Sequence, residues 1–199
     1  MHGHKRDMDF DKRAATYDNA PGSASNRFYS LLLAQVELEQ GAAVLDVGCG
    51  TGTILSHMAE RCTIDGYGLD ASKSMVEQAK RKCPDMDIRV GLSDKMPFED
   101  ATFDTVTACL AYHHFADQEA FASEAARVLK PGGRLHIADP RLPAVPRKMI
   151  NGFFWLIRVV GRFDSPRDVV ARFSRHGFRP VALAKDRYAQ VVTLQLVSG

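Results

Sequence analysis

Short apolar runs alternate with amphipathic stretches along most of the chain. That is the pattern of strand–helix–strand units built around a mostly parallel sheet. The spacing predicts a first helix from about Ser25 to Glu39, with Leu31, Leu32, Ala34, Gln35, Val36 and Leu38 supplying a face and Gly41 as its stop. Val44-Leu45-Asp46-Val47 reads as the first strand. A glycine loop follows, then a helix over about Thr53–Glu60. The second strand lies near Gly66–Leu69 and closes on Asp70. Ser72 can cap the next helix, which runs through Lys82 and ends before Pro84. Ile88-Arg89-Val90 and Phe103–Leu110 read as the third and fourth strands. Asp117 can cap a helix to Leu129, broken by Lys130-Pro131-Gly132-Gly133, and Leu135–Ala138 is the fifth strand.

Beyond Asp139 the pattern changes. Pro140, Pro143 and Pro146 predict a stiff loop, followed by an amphipathic helix over about Arg147–Val160. Ser165-Pro166 starts another helix, with serine as cap and proline at its first position, and Gly177 ends it. Two strands follow, near Val181–Lys185 and Gln190–Val197. The short turn between them predicts antiparallel pairing. Residues 1–22 form a polar lead-in ending in Pro21-Gly22 and are expected to be an N-terminal arm or lid. Residues 23–199 are expected to form one domain.

The chemistry concentrates in Asp46-Val47-Gly48-Cys49-Gly50-Thr51-Gly52, between a buried strand and a helix. Glycines there permit positive φ and let a ligand approach the backbone closely. The spacing is G-x-G-x-G rather than the G-x-G-x-x-G of dinucleotide sites, where a pyrophosphate sits on a helix N-terminus. A zwitterionic amino-acid tail needs acceptors for its ammonium and a carboxylate nearby, which Asp46 supplies. Asp70 ends the second strand about 20 residues on, where an acidic side chain can accept both hydrogen bonds of a ribose diol.

With these residues in view, Val44–Gly52 resembles motif I of class I S-adenosylmethionine (SAM)-dependent methyltransferases, and Tyr67-Gly68-Leu69-Asp70 their post-I motif. Met96-Pro97-Phe98, Phe103-Asp104 and Arg127–Gly133 resemble the small-molecule branch related to ubiquinone and menaquinone biosynthesis. The resemblance spans about residues 9–140. It implies a Rossmann-like three-layer α/β sandwich, with a mostly parallel seven-stranded sheet and an antiparallel C-terminal strand. It also implies SAM as methyl donor, S-adenosylhomocysteine as product and a small-molecule acceptor. By position it gives Gly48, Cys49, Gly50 and Gly52, with Asp46, to the methionine end, and Asp70 to the ribose. Ala71, Met75, Leu92 and Ser93 would surround the adenine, and Cys109 and Leu110 would underlie the reacting centre. Tyr17 resembles the tyrosine of the family's N-terminal lid. The chain departs from the family at Gly91-Leu92-Ser93, where Gly-Asp-Ala is usual. A backbone group, Ser93 or Asp94 is then left to hold the adenine amino group.

Methyl transfer asks a protein mainly for alignment and desolvation, and for a general base only when the acceptor carries a proton. Tyr112-His113-His114 follow the fourth strand, at the sheet edge where ligands bind, and are the candidate catalytic residues. No histidine–cysteine spacing suggests a metal site.

Composition narrows the setting. No run reaches the roughly 18 apolar residues of a membrane span, and the polar start carries no signal-like core. The four cysteines form no CxxC pair and read as reduced thiols, so a cytoplasmic protein is expected. The net charge is +2, yet from Arg141 onward about 11 basic residues face 3 acidic ones. The helix around Phe153–Ile157, flanked by Arg147, Lys148, Arg158 and Arg162, would suit core packing, a lid over an apolar substrate, or a membrane surface without insertion. Near-neutral charge, and Cys109-Leu110-Ala111-Tyr112 in place of [DNS]-P-P-[YF], argue against a nucleic-acid substrate. A non-catalytic SAM-binding module is the alternative reading. A nicotinamide oxidoreductase is disfavoured by the glycine spacing.

Overall fold

A computed structural model describes Asp11, Ala14, residues 25–156 and residues 161–197. Its elements, in chain order, are α1 (Ser25–Leu33), β1 (Ala42–Val47), α2 (Thr53–Arg61), β2 (Ile64–Asp70), α3 (Lys73–Lys82), β3 (Asp87–Val90) and β4 (Phe103–Cys109). A short 3-10 turn at Tyr112–His114 follows. Then come α4 (Gln118–Val128), β5 (Leu129–Pro140), α5 (Ala144–Leu156), α6 (Pro166–Ser174), β6 (Phe178–Lys185) and β7 (Ala189–Leu196).

The strands form one sheet in the order β3-β2-β1-β4-β5-β7-β6. The order reverses direction at β1, between β2 and β4, which opens a crevice above the strand ends. β7 pairs antiparallel with both β5 and β6, and the other neighbouring strands pair parallel.

Both faces of the sheet are covered, so alternate residues of each inner strand feed two separate cores. Leu45, Val47, Val106, Ala108, Leu135 and Ile137 pack with Phe121 and Ala125 of α4 and Phe173 of α6. Val44, Ile88, Ala138 and Val191 pack on the other side with Leu32 of α1, Leu55 and Met58 of α2, and Ala79 of α3. A buried polar row crosses this second face, where Asp46, Thr107, His136 and Thr193 are successive cross-strand partners. Thr107 Oγ1 donates to Asp46 Oδ1 at 2.6 Å, and His136 Nδ1 lies 3.1 Å from Thr193 Oγ1.

Three boundaries differ from the expected pattern. The first helix ends at Leu33 rather than Glu39: Gln35 N–H already bonds the Leu32 carbonyl in a tighter turn, and Val36 is buried by that turn. Lys130–Gly133 does not separate a helix from a later strand. Phe103 faces Leu129 and Thr105 faces Arg134, so the extra residues are absorbed as a bulge inside β5. Helix α5 starts at Ala144 and contains Pro146, because the first turn of a helix leaves its N–H groups unpaired in any case. The antiparallel pairing of the last two strands and the Ser165-Pro166 helix start appear as the pattern predicts.

Candidate active site

β1 ends at Val47, and its glycine loop turns directly over the end of β2. Gly48 N–H and Cys49 N–H both donate to the Leu69 carbonyl, at 2.7 and 3.1 Å. Gly48 has φ +74°, and a Cβ there would stand 2.3 Å from Ala111 Cβ, so only glycine fits. Asp70 ties the loop down from the far side. Its Oδ2 accepts from Gly50 N–H at 2.9 Å and its Oδ1 from Ser72 N–H at 2.8 Å. Each oxygen spends one acceptor position on the backbone and keeps capacity for a ligand hydroxyl.

Above the loop lies a cavity of about 560 Å³, within the size range of small-molecule sites. Of the residues expected to contribute, Gly48, Gly50, Asp70, Ala71, Met75, Leu92, Ser93, Cys109 and His114 line it. A Cβ placed on Gly50 would meet no protein atom within 4 Å, which leaves that stretch of backbone open. Leu110, also on the wall, has φ +55°. A left-handed leucine is uncommon, and such strain concentrates at functional sites.

Three carboxylates reach the lining, from Asp11, Asp70 and Asp94, and no lysine or arginine does among the described residues. Asp11 accepts from Ser72 Oγ and from Ser74 N–H, which joins this early residue to the start of α3. Burial raises the Asp70 carboxyl above the usual range, against the opposing pull of its two backbone N–H donors. Burial likewise pushes Asp46 up to about 7, partly offset by the Thr107 hydroxyl and reinforced by the Asp70 charge. An acid-lined, partly desolvated cavity suits a cationic ligand and repels a pyrophosphate.

Several expected contributors sit elsewhere. Asp46 lies one layer below the cavity wall, turned into the buried polar row. The Cys49 thiol packs beside Gly68, where a Cβ would approach it to 2.9 Å, and burial raises its pKa well above the ordinary range. Gly52 caps α2 with φ +79° and packs against Ala79. The Tyr112 ring lies in the core and not on the cavity wall. It packs among Phe115, Phe121 and Phe173, and its hydroxyl meets Arg172 and the buried Asp164. Burial drives its phenol far above the ordinary range, so it stays protonated. Tyr17, and the 1–22 arm apart from Asp11 and Ala14, lie outside the described residues.

His113 and His114 lie side by side in the turn after β4, with ring centroids 4.0 Å apart. Only His114 is on the wall. Behind it, His113 Nδ1 is 2.8 Å from Asp139 Oδ1, both side chains buried, and the His113 ring stacks on Phe163 at 4.8 Å. The His113 carbonyl accepts from Arg162 N–H at 2.8 Å. Asp139, Asp164 and Arg172 carry no motif of their own. Asp139 matters here because β5 ends beside the turn that follows β4.

Residues 45–137 match the family model described as a methyltransferase domain. The demethylmenaquinone methyltransferase of Chlorobaculum tepidum is 33% identical over 167 residues, covering 78% of this chain and 69% of that protein. Over the first curated relatives it matches, the chain spans between 36% and 69% of their length. A SAM-dependent methyltransferase from Aquifex aeolicus superposes with TM-score 0.73 at 21% identity, covering 94% of this chain and 98% of that one. A phosphoethanolamine N-methyltransferase from Haemonchus contortus, solved in complex with SAM, gives TM-score 0.75 at 15% identity, covering 94% and 57% respectively. At these identities the two structures share the fold. No described helix is long and apolar enough to cross a membrane.

Proposed function

The chain belongs to the SAM-dependent methyltransferase family, and on that premise we propose that it transfers the methyl group of SAM to a small-molecule acceptor held beside His114. The observation that carries this reading is the cavity's charge. Three carboxylates and no lysine or arginine line it among the described residues, matching a ligand with a sulfonium and an ammonium. The residues present therefore fit SAM. Asp70 would take the ribose hydroxyls, and the open backbone at Gly50 the methionine end. Asp94 would accept from the adenine amino group in place of the aspartate that Leu92 replaces.

SAM, when bound, supplies an electrophilic methyl group opened to in-line displacement by its sulfonium. The chain's own work is positional. The Leu69 carbonyl and the Asp70 carboxylate fix the glycine loop, and strained Leu110 and Ala111 close the floor above β4. His114 lies on the cavity wall, and in this reading it takes a proton from an acceptor hydroxyl or amine. His113 positions that ring. With Asp139 accepting from Nδ1–H, its orientation and tautomer are set, and Phe163 holds its other face. The relative named for demethylmenaquinone supports a small-molecule acceptor, and the Phe115 wall supports an apolar, ring-bearing one.

Titration with SAM, S-adenosylhomocysteine and NADH, followed by an assay of S-adenosylhomocysteine release across hydroquinones, phenols and amines, tests the proposal. Micromolar binding of the first two ligands and acceptor-dependent release are expected. NADH binding in their place, or SAM binding without release for any acceptor, would sink it.

A further inference from the structure

Helix α5 has two unlike faces. Its inner face is anchored to the body. Asn151 Nδ2 donates to the Phe163 carbonyl at 2.8 Å, and Asn151 Oδ1 accepts from Phe163 N–H at 2.9 Å. Phe154 packs toward Phe163 at 6.2 Å, and Arg147 lies 3.7 Å from Asp168. The outer face is apolar and exposed. Val145 is 70% exposed, Met149 69% and Phe153 56%, at i, i+4 and i+8 of one helical stripe. Lys148 flanks that stripe and is exposed.

Charge says what fits there. From Arg141 to Phe163 the chain carries five basic residues and no aspartate or glutamate; Arg147 and Arg162 pair with Asp168 and Asp164, while Arg141 and Lys148 are exposed. Three side chains on a convex helix fall well short of the roughly 800 Å² per partner that a stable dimer buries. An apolar stripe flanked by Lys148 and preceded by exposed Arg141, on a helix too short and too polar to insert, is instead the form that lies in the plane of a bilayer interface.

We propose that the outer face of α5 docks on an anionic lipid bilayer, with Val145, Met149 and Phe153 entering the acyl boundary and Arg141 and Lys148 meeting the headgroups. The docking surface stands on these residues alone and does not require the methyl-transfer reading.

Sedimentation with unilamellar vesicles tests it, comparing phosphatidylglycerol–phosphatidylcholine mixtures with pure phosphatidylcholine. Binding to the anionic vesicles is expected to be at least about tenfold tighter and to weaken with added salt. The exposed double substitution Met149→Asp/Phe153→Asp is expected to lower it by at least about tenfold while SAM affinity is retained, which shows the fold intact. Equal binding to both vesicle types, or a double variant that binds as tightly as the parent, overturns the proposal. So does a concentration-dependent dimer that the same variant dissolves in the absence of vesicle binding. Loss of methyl transfer to a water-soluble acceptor would instead strike the proposed function and leave this surface untouched.

Discussion

His113 Nδ1 and Asp139 Oδ1 lie 2.8 Å apart in a buried pair that no sequence motif joins, 26 positions from one another along the chain. The carboxylate ends β5 and the imidazole follows β4, so the parallel pairing of those strands creates the contact. Desolvation raises the Asp139 carboxyl, and His113 pulls it back down. An amide at Asp139 would present the imidazole with a weaker, ambiguous partner and free its tautomer. Asp139→Asn is expected to lower kcat about tenfold or more for a protic acceptor, and His114→Gln about a hundredfold, with SAM affinity within about threefold of the parent. Stopped-flow single turnovers with parallel calorimetry would check this. An Asp139→Asn enzyme with unchanged kcat and an unchanged pH profile would remove the positioning role.

SAM binding should depend on pH. Burial raises both Asp46, to about 7, and Asp70, so each holds its proton to higher pH than a free carboxyl. A cationic ligand favours the deprotonated forms. Affinity is therefore expected to rise as pH increases through about 7, with protons released on binding. Asp46→Asn should flatten the profile. Calorimetry in buffers of different ionisation enthalpy reads the proton count, and proton uptake on binding would contradict the sign.

Two glycines of one loop should fail in different ways. Gly48→Ala forces a Cβ to within 2.3 Å of Ala111 Cβ and strains a φ of +74°, so a loss of about 2–4 kcal/mol of stability is expected. Gly50→Ala meets no protein atom within 4 Å and carries only its φ strain of about 1 kcal/mol. Its added methyl falls where the ligand is proposed to lie. Denaturant melts should rank Gly48→Ala as the less stable, while SAM titration should show Gly50→Ala folded and weak-binding. A Gly50→Ala protein with parental affinity would move the ligand away from this stretch of backbone.

Arg172 should matter more to folding than Tyr112. Asp164 is buried, and Arg172 and the Tyr112 hydroxyl both approach it. Arg172→Leu leaves that carboxylate with Arg162, 2.8 Å from its other oxygen, as the cation still paired with it, and is expected to cost roughly 1.5–3 kcal/mol. Tyr112→Phe removes one neutral partner and should cost about 1 kcal/mol, with little effect on kcat. Equilibrium unfolding of the two variants tests the order. A large kcat loss in Tyr112→Phe would return the phenol to the chemistry.

His136 gives a separate acid signature. Its ring is fully buried, Nε2 has no hydrogen-bond partner among the described residues, and burial lowers its pKa from 6.5 to about 4. The unfolded chain then binds the proton more readily. This contribution to stability is complete above about 6.5 and is lost as pH falls toward about 4. His136→Leu should flatten that part of the acid limb in thermal melts, and an unchanged slope would exclude His136 as its source.

What could be read from the chain was whatever is written locally. The glycine loop, Asp70 one strand later, the Ser72 cap and the Ser165-Pro166 start each depend on neighbours within a few positions, and the structure puts them where the pattern predicts. Arg127 and Met96-Pro97-Phe98 were legible only as a resemblance. In the fold, the guanidinium donates to the Met96 and Phe98 carbonyls and strapped Glu124 accepts from Met96 N–H. Asp139, Asp164 and Arg172 were illegible because an isolated charged residue has no meaning until a distant strand or helix is laid beside it. The packing of Tyr112 was illegible for the same reason: its position after β4 suggested the site, while Phe173 and Arg172 from α6 decided where its ring lies.

The strand order has a consequence for biosynthesis. β6 is made before β7, yet β7 lies between it and β5. As the chain leaves the ribosome, β6 emerges with no place in the sheet, and β5 keeps a bare edge until residues 189–196 arrive. Those eight residues close both pairings at once, so a nascent chain stalled before them would expose an unpaired edge strand, the kind of surface that recruits chaperones or other unfinished chains.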